Sequence, residues 1–365
     1  MGGTIGAGLF IGSARAIQMA GPAVILAYAL CGLVVYIIAR CLGELALADL
    51  GQETFVNYIG IQLGSRYAFV SGWSYWFSLV LVGMAELTAV GLFVHVWLPT
   101  LPRWIAPFAA LSLLFVVNRA SVRLFGESEF WLALIKITSL TCFILLGLAA
   151  VLLPGLGLLG AHFSNPWRLS SYFPTGFLGL CTVLPIALFS FGDVELISLA
   201  AAETADPSRT LPRAVNGLLV WIVVFYVGTI GSLLLLLPQT EIGSESSSLV
   251  TVLIRLGVPL AGSLLNFILI TVVISSCDSI LFGATRVLRS LALDGSAPAS
   301  WANSGRRGVP TRAVNVSTAA ASPMIGLNYL FPAQVFGILS EMVAMFTSVN
   351  WMLIVIATSA SDRNC

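Results

Sequence analysis

The chain is poor in charge, and that scarcity removes most of what a protein of this length does. Of its 365 residues only 9% are Asp, Glu, Lys or Arg, against roughly 25% in soluble globular domains. So little charge excludes an ordinary soluble enzyme. Histidine occurs twice, at His95 and His162, too far apart in sequence to suggest a histidine-built metal site. The six cysteines, Cys31, Cys41, Cys142, Cys181, Cys277 and Cys365, stand singly with no pair at metal-ligand spacing. The first five read as small apolar packing residues. Nucleophile elbow, phosphate loop and His/Glu metal motif are all missing, which leaves an intramembrane enzyme without support and gives no reason to expect a cofactor. The net charge of +1 comes with no basic stripe or tail, so nothing points to nucleic acid. Nor does the start read as a secretory signal, because a basic n-region is lacking.

What the sequence has is hydrophobic residues, 58% of the total. They come in runs of about 20, each long enough to cross a hydrocarbon core roughly 30 Å thick. At about 35 residues for a span and its connection, the length allows roughly ten crossings. The expected fold class is all-α: a polytopic protein of the lipid bilayer with one transmembrane domain over residues 1–358 and a short tail, 359–365. A glycine-rich segment near 2–18 is followed by spans near 22–43, 69–98, 104–118 and 130–153. A second group follows near 177–202, 214–237, 259–291, 313–331 and 335–358, so the two groups of five cover about 2–153 and 177–358. Residues 243–257 read as a short interfacial helix.

Arginines sort by side. The connections after the even-numbered spans carry Arg40, Arg66, Arg119, Arg123, Arg209, Arg213, Arg286, Arg289, Arg306, Arg307, Arg312 and Arg363. The opposite face carries only Arg15, Arg103, Arg168 and Arg255. The positive-inside rule then predicts a cytoplasmic position for the first face. Lys136, the single lysine, falls outside this pattern, about seven residues into the fifth span. A lysine at that depth costs roughly 2.5–3.5 kcal/mol on insertion scales. It is either functional or snorkels toward the cytoplasm on its four-carbon stem.

Two spans are interrupted. Gly2-Gly3-Thr4-Ile5-Gly6-Ala7-Gly8-Leu9-Phe10-Ile11-Gly12 is too glycine-rich for a continuous membrane helix without a reason. Gly8 and Gly12 form a small-xxx-small pair suited to close helix packing. Alternatively, unwound N–H groups at Gly6, Ala7 and Gly8, with the positive end of the following half-helix, bind an anion. In the sixth span, Phe189-Ser190-Phe191-Gly192-Asp193-Val194-Glu195 sets two carboxylates and a glycine inside an apolar run. Interruptions at corresponding positions of two halves point to a midplane site in an inverted-repeat transporter. Carbonyls near Phe189, Ser190 and Phe191 would accept from an ammonium while the glycine amides take a carboxylate, so a zwitterion fits.

These segments, with Gly43-Glu44-Leu45, residues 130–137, Ala202-Glu203-Thr204-Ala205-Asp206-Pro207, Leu211-Pro212-Arg213 and Ser275-Ser276, resemble bacterial amino acid permeases of the amino acid-polyamine-organocation (APC) superfamily. Gly72-Trp73-Ser74-Tyr75-Trp76-Phe77 and Gly83-Met84-Ala85-Glu86 look most like the D-serine, D-alanine and glycine branch. The resemblance implies a five-plus-five inverted repeat with alternating access, and proton-coupled uptake of small neutral amino acids across the cytoplasmic (inner) membrane. Carried over residue by residue, Gly6, Ala7 and Gly8 face the substrate carboxylate, and Phe189, Ser190 and Phe191 its amine. Lys136 and Glu195 are then the residues linked to proton coupling. Glu86, Ser276, Asp278 and Glu341 are possible cavity-lining residues, the three acids equally readable as buried hydrogen-bonding partners between helices.

The chain departs from the family pattern. Asp193 stands where relatives usually have a small residue, and Asp278 where they usually have asparagine. Against the family's twelve or so spans, this chain starts inside the first half-helix and ends after the tenth, so the resemblance implies truncation at both ends. A non-transporting sensor or a truncated inactive remnant is therefore the alternative function.

Overall fold

A computed structural model describes residues 5–49, 52, 54–120, 122–153, 172–192, 194–196, 207–237, 242, 248–255, 259–305, 308–331 and 334–364. The expectations for Asp193, Arg168, Arg306, Arg307 and residues 200–206 lie outside these. Among the described residues every regular element is helical, and each hydrophobic run read from the sequence has its helix.

The first run opens with a bend at Ile5 and Gly6, a π-helical turn over Gly8–Gly12, and then α1 (Ser13–Ala20). A turn through Gly21 and Pro22 leads into α2 (Val24–Ala48). Next comes α3 (Phe55–Leu63), a short helix that the hydrophobic runs do not announce. Its start is fixed by a reciprocal cap, in which Thr54 and Asn57 each satisfy the other's main chain. After it run α4 (Ser65–Trp97), α5 (Ile105–Ala120) and α6 (Val122–Leu152). Helix α6 begins at Val122, a little over two turns before the apolar stretch that opens at Phe130, so Lys136 is mid-helix while staying about seven residues into that stretch.

The second group starts with α7 (Gly176–Ser190), which contains Pro185 and stops at Ser190. It continues with α8 (Pro207–Ile222), a π-helical turn over Val223–Val227, and α9 (Gly228–Leu236). The short helix expected within 243–257 is α10 (Ser248–Arg255). Then come α11 (Pro259–Leu293), α12 (Thr311–Ala321), α13 (Pro323–Leu330) and α14 (Val335–Asn364). Helix α14 runs on through the residues read as a tail. Five stretches are long and apolar enough to cross a membrane: Gly8–Ala48, Ser65–Trp97, Phe130–Leu152, Gly262–Leu293 and Val335–Ser361. The remaining runs form shorter apolar helices, Ile105–Arg119, Gly176–Ser190 and Val224–Leu236, and the run 313–331 is parted at Ser322-Pro323 into α12 and α13.

Burial sorts these helices. The apolar window of α4 is 83% buried and that of Phe130–Leu152 in α6 only 28%. A helix apolar on all sides belongs either in a protein interior or against lipid, so α4 is the central pillar and α6 a peripheral helix facing the bilayer. Helices α11 and α14 both pack on α4, and α14 also touches α2 and α7, which in turn hold α8 and α1. Cys31 and Cys277 are buried packing residues as expected, whereas Cys142 and Cys181 lie on exposed helix faces.

Candidate substrate site

The two interrupted helices meet main chain to main chain. A Cβ placed on Gly8 would lie 2.6 Å from Ser190 Cα and 2.8 Å from its Oγ, and one on Gly12 would lie 3.2 Å from Ile186 Cγ2. Only glycine at position 8 permits this approach. Gly8 and Gly12 thus serve close packing, and the anion-binding alternative narrows to Gly6 and Ala7.

At that point the chain supplies its own anion. The Ala7 amide donates to both carboxylate oxygens of Glu86 on α4, at 3.0 and 3.1 Å. A Cβ on Gly6 would fall 2.1 Å from Glu86 Oε1 and 2.6 Å from Ser276 Oγ. Ser276, on α11, hydrogen-bonds Glu86, and Lys136 is close enough for its charge to act on the same carboxylate. Lys136 is 1% exposed, so its side chain turns into the protein rather than along α6 to an interface. Gly6, Ala7, Glu86, Lys136 and Ser276, read separately from the sequence, form one cluster.

The second break is as anticipated in place and different in bonding. After Ser190 the chain turns, with Phe191 N–H donating to Leu188 O and Gly192 N–H to Phe189 O, both at 3.1 Å. The Ser190 carbonyl accepts from the Tyr226 hydroxyl. The Phe189 and Ser190 carbonyls are thus each engaged by a donor from the protein. Glu195, 1% exposed, accepts from Trp351 Nε1 on α14. Phe189 meets Phe336 edge to face at 5.5 Å.

Two of the expected residues are placed elsewhere. Asp278 is buried and accepts from Asn118 Nδ2 of α5 at 2.6 Å. This is the interhelical partnership given as its alternative. Glu341 is not buried: its side chain is 62% exposed and faces Arg15 at 3.9 Å. An acid four residues past Gly337, the glycine that Arg15 lies against, has a basic partner at hand, which composition alone could not reveal. Tyr28, Tyr226, Asn118 and Trp351 were not anticipated. Their signal is a polar tip inside an apolar run, which must find a partner when buried.

Comparison with known proteins bears on the whole chain. The family model described as Amino acid permease matches residues 1–361. The chain belongs to this family. The aromatic amino acid transport protein AroP of Escherichia coli (strain K12) is 37% identical over 357 residues, covering 98% of this chain and 78% of that protein. The same coverage holds for the AroP of Salmonella typhi at 37% identity and for the uncharacterized transporter YdgF of Bacillus subtilis (strain 168) at 36%. The amino acid permease reading of the sequence stands, and with it a multi-pass membrane protein that is not an enzyme. The D-serine, D-alanine and glycine branch finds no support in these names.

Proposed function

We propose that the chain takes up neutral amino acids across the cytoplasmic membrane by proton-coupled alternating access, one helical bundle rocking around a fixed midplane site at the paired helix breaks. The observation that carries this reading is the Ala7 amide held on the Glu86 carboxylate. It supports a seat for a carboxylate at the first break, with Lys136 beside it as a charge that can change with protonation. Carbonyls at Phe189, Ser190 and Phe191 then take the ammonium, and Glu195 serves the second break. The arginine asymmetry supports a cytoplasmic position for the loops after even-numbered spans.

The side chain carried is read in two ways. The sequence motifs favour small neutral substrates; the likeness to the aromatic amino acid transport protein AroP, together with the aromatic rings at Phe189, Phe191 and Phe336, favours aromatic ones. We place aromatic neutral amino acids first. Uptake of labelled phenylalanine, tryptophan, alanine and serine into proteoliposomes, with and without an imposed pH gradient, tests both points. Uptake indifferent to the gradient removes proton coupling, and no uptake of any of the four removes transport and returns the sensor or remnant reading.

A further inference from the structure

Ser190, the last helical residue of α7, is held from three directions. Tyr28 of α2 places its hydroxyl 3.0 Å from Ser190 Oγ. Tyr226 donates to the Ser190 carbonyl. The glycine face of the first π turn closes on Ser190 Cα from the third side. Phe191, the first residue past the helix, packs its ring 4.4 Å from that of Tyr226 and 5.7 Å from that of Tyr28. The two tyrosine rings stack on each other at 6.0 Å with 28° between their planes.

Backbone accounting explains the arrangement. A helix that stops inside a membrane protein leaves its last carbonyls without intrahelical donors, and each must find another. Turn bonds serve Leu188 and Phe189, and a side chain from another helix serves Ser190. Tyr226 lies in the π turn Val223–Val227, and Gly8 and Gly12 bound the other π turn, Gly8–Gly12. A π turn shifts by one position which residues face a given side, and such turns occur mostly as single inserts at functional sites. Here both turns of this kind described in the chain face the same serine.

We infer that Tyr28 and Tyr226 are positioning residues for the substrate site: their hydroxyls clamp Ser190 against the Gly8 face, setting the main-chain geometry of the α7 break before an amino acid arrives. This rests on the reading of that break as the ammonium seat. Pre-setting the acceptors lowers the ordering cost of binding, so the clamp acts on affinity more than on turnover.

Tyr226→Phe and Tyr28→Phe keep the rings and remove only the hydroxyls. In the purified full chain without amino acid, amide hydrogen exchange in the peptide covering 186–195 is expected to rise about tenfold in Tyr226→Phe, with the α5 peptide 105–120 unchanged. The KM for phenylalanine uptake is expected to rise about tenfold at nearly constant maximal rate. Unchanged exchange at 186–195, or exchange raised everywhere, overturns the clamp; raised local exchange with an unchanged KM overturns its role in binding. Ser190→Ala supplies a second variant: it removes the Tyr28 partner and keeps the carbonyl that Tyr226 engages. Adding Tyr28→Phe to it is expected to change exchange no further, and additive effects overturn the pairing. A parent protein that carries nothing sinks the transport reading, while the exchange arm still decides the clamp.

Discussion

Ala7 and Glu86 are 79 positions apart in sequence, yet the amide of the first reaches both carboxylate oxygens of the second. An amide at the mouth of a half-helix attracts negative charge whatever its source. A substrate carboxylate arriving there meets a seat already engaged by Glu86, so binding and the position of Glu86 are tied. Glu86→Gln retains the size and can still accept from Ala7, but loses the charge. It is expected to lower gradient-driven uptake about tenfold, a difference of about 1.4 kcal/mol, while counterflow exchange persists. Equal loss of both modes would place Glu86 in structure alone.

Lys136 provides a sharper test because arginine is not equivalent to it. The ammonium can lose its proton when desolvated, whereas guanidinium stays charged at all accessible pH. Both Lys136→Ala and Lys136→Arg are therefore expected to abolish the response to a pH gradient, and the arginine variant is expected to keep exchange better than the alanine variant. A snorkelling lysine would tolerate arginine fully. Uptake by Lys136→Arg at parental rate with parental gradient dependence would assign that bland role.

Gly6 and Gly8 separate function from folding. The atom nearest a Cβ on Gly8 is Ser190 Cα, part of the main chain, whereas the atom nearest a Cβ on Gly6 is the far end of Glu86. Backbone cannot retreat cheaply, so Gly8→Ala is expected to cost about 1–3 kcal/mol and to lower the melting temperature of the purified protein. Gly6→Ala pushes a flexible carboxylate aside instead. Its melting temperature is expected to stay near the parent's while the KM for amino acid rises. The reverse order of effects would mean that the two glycines have been assigned the wrong jobs.

How much of this was legible beforehand follows from what hydrophobicity records. The runs gave every long helix, and glycines and carboxylates inside apolar runs gave both breaks. Helix α3 escaped because nine residues with a Thr54–Asn57 cap carry no membrane signal. The apolar span of α6 begins at Phe130 as read, but the helix itself extends back to Val122 through Arg123, Glu127, Ser128 and Glu129, which carry no membrane signal. Glu341 escaped for a different reason. An acid in a span is expensive only if buried, and exposure beside Arg15 joins positions more than 300 residues apart, which no local pattern encodes. The tyrosine contacts on Ser190 likewise link positions 28, 190 and 226, separations that a single sequence does not register.

Asn118 and Asp278 give the last prediction. Asn118 Nδ2 reaches both Leu114 O, at 3.0 Å, and Asp278 Oδ1, at 2.6 Å, so the side chain ties its own helix to α11. Asp278→Asn still presents a carbonyl oxygen to Asn118 and removes a buried negative charge, so stability is expected to hold or rise. Asp278→Leu leaves the Asn118 donor facing an apolar side chain. Interhelical polar bonds of this kind in membranes are worth about 0.6 kcal/mol on average and up to about 1.7, and a buried donor without a partner costs about 1–3. Thermal unfolding of the two variants in the same detergent should therefore differ, with Asp278→Leu the lower. Equal melting temperatures would mean that water, and not Asp278, satisfies Asn118, and would return Asp278 to the aqueous cavity.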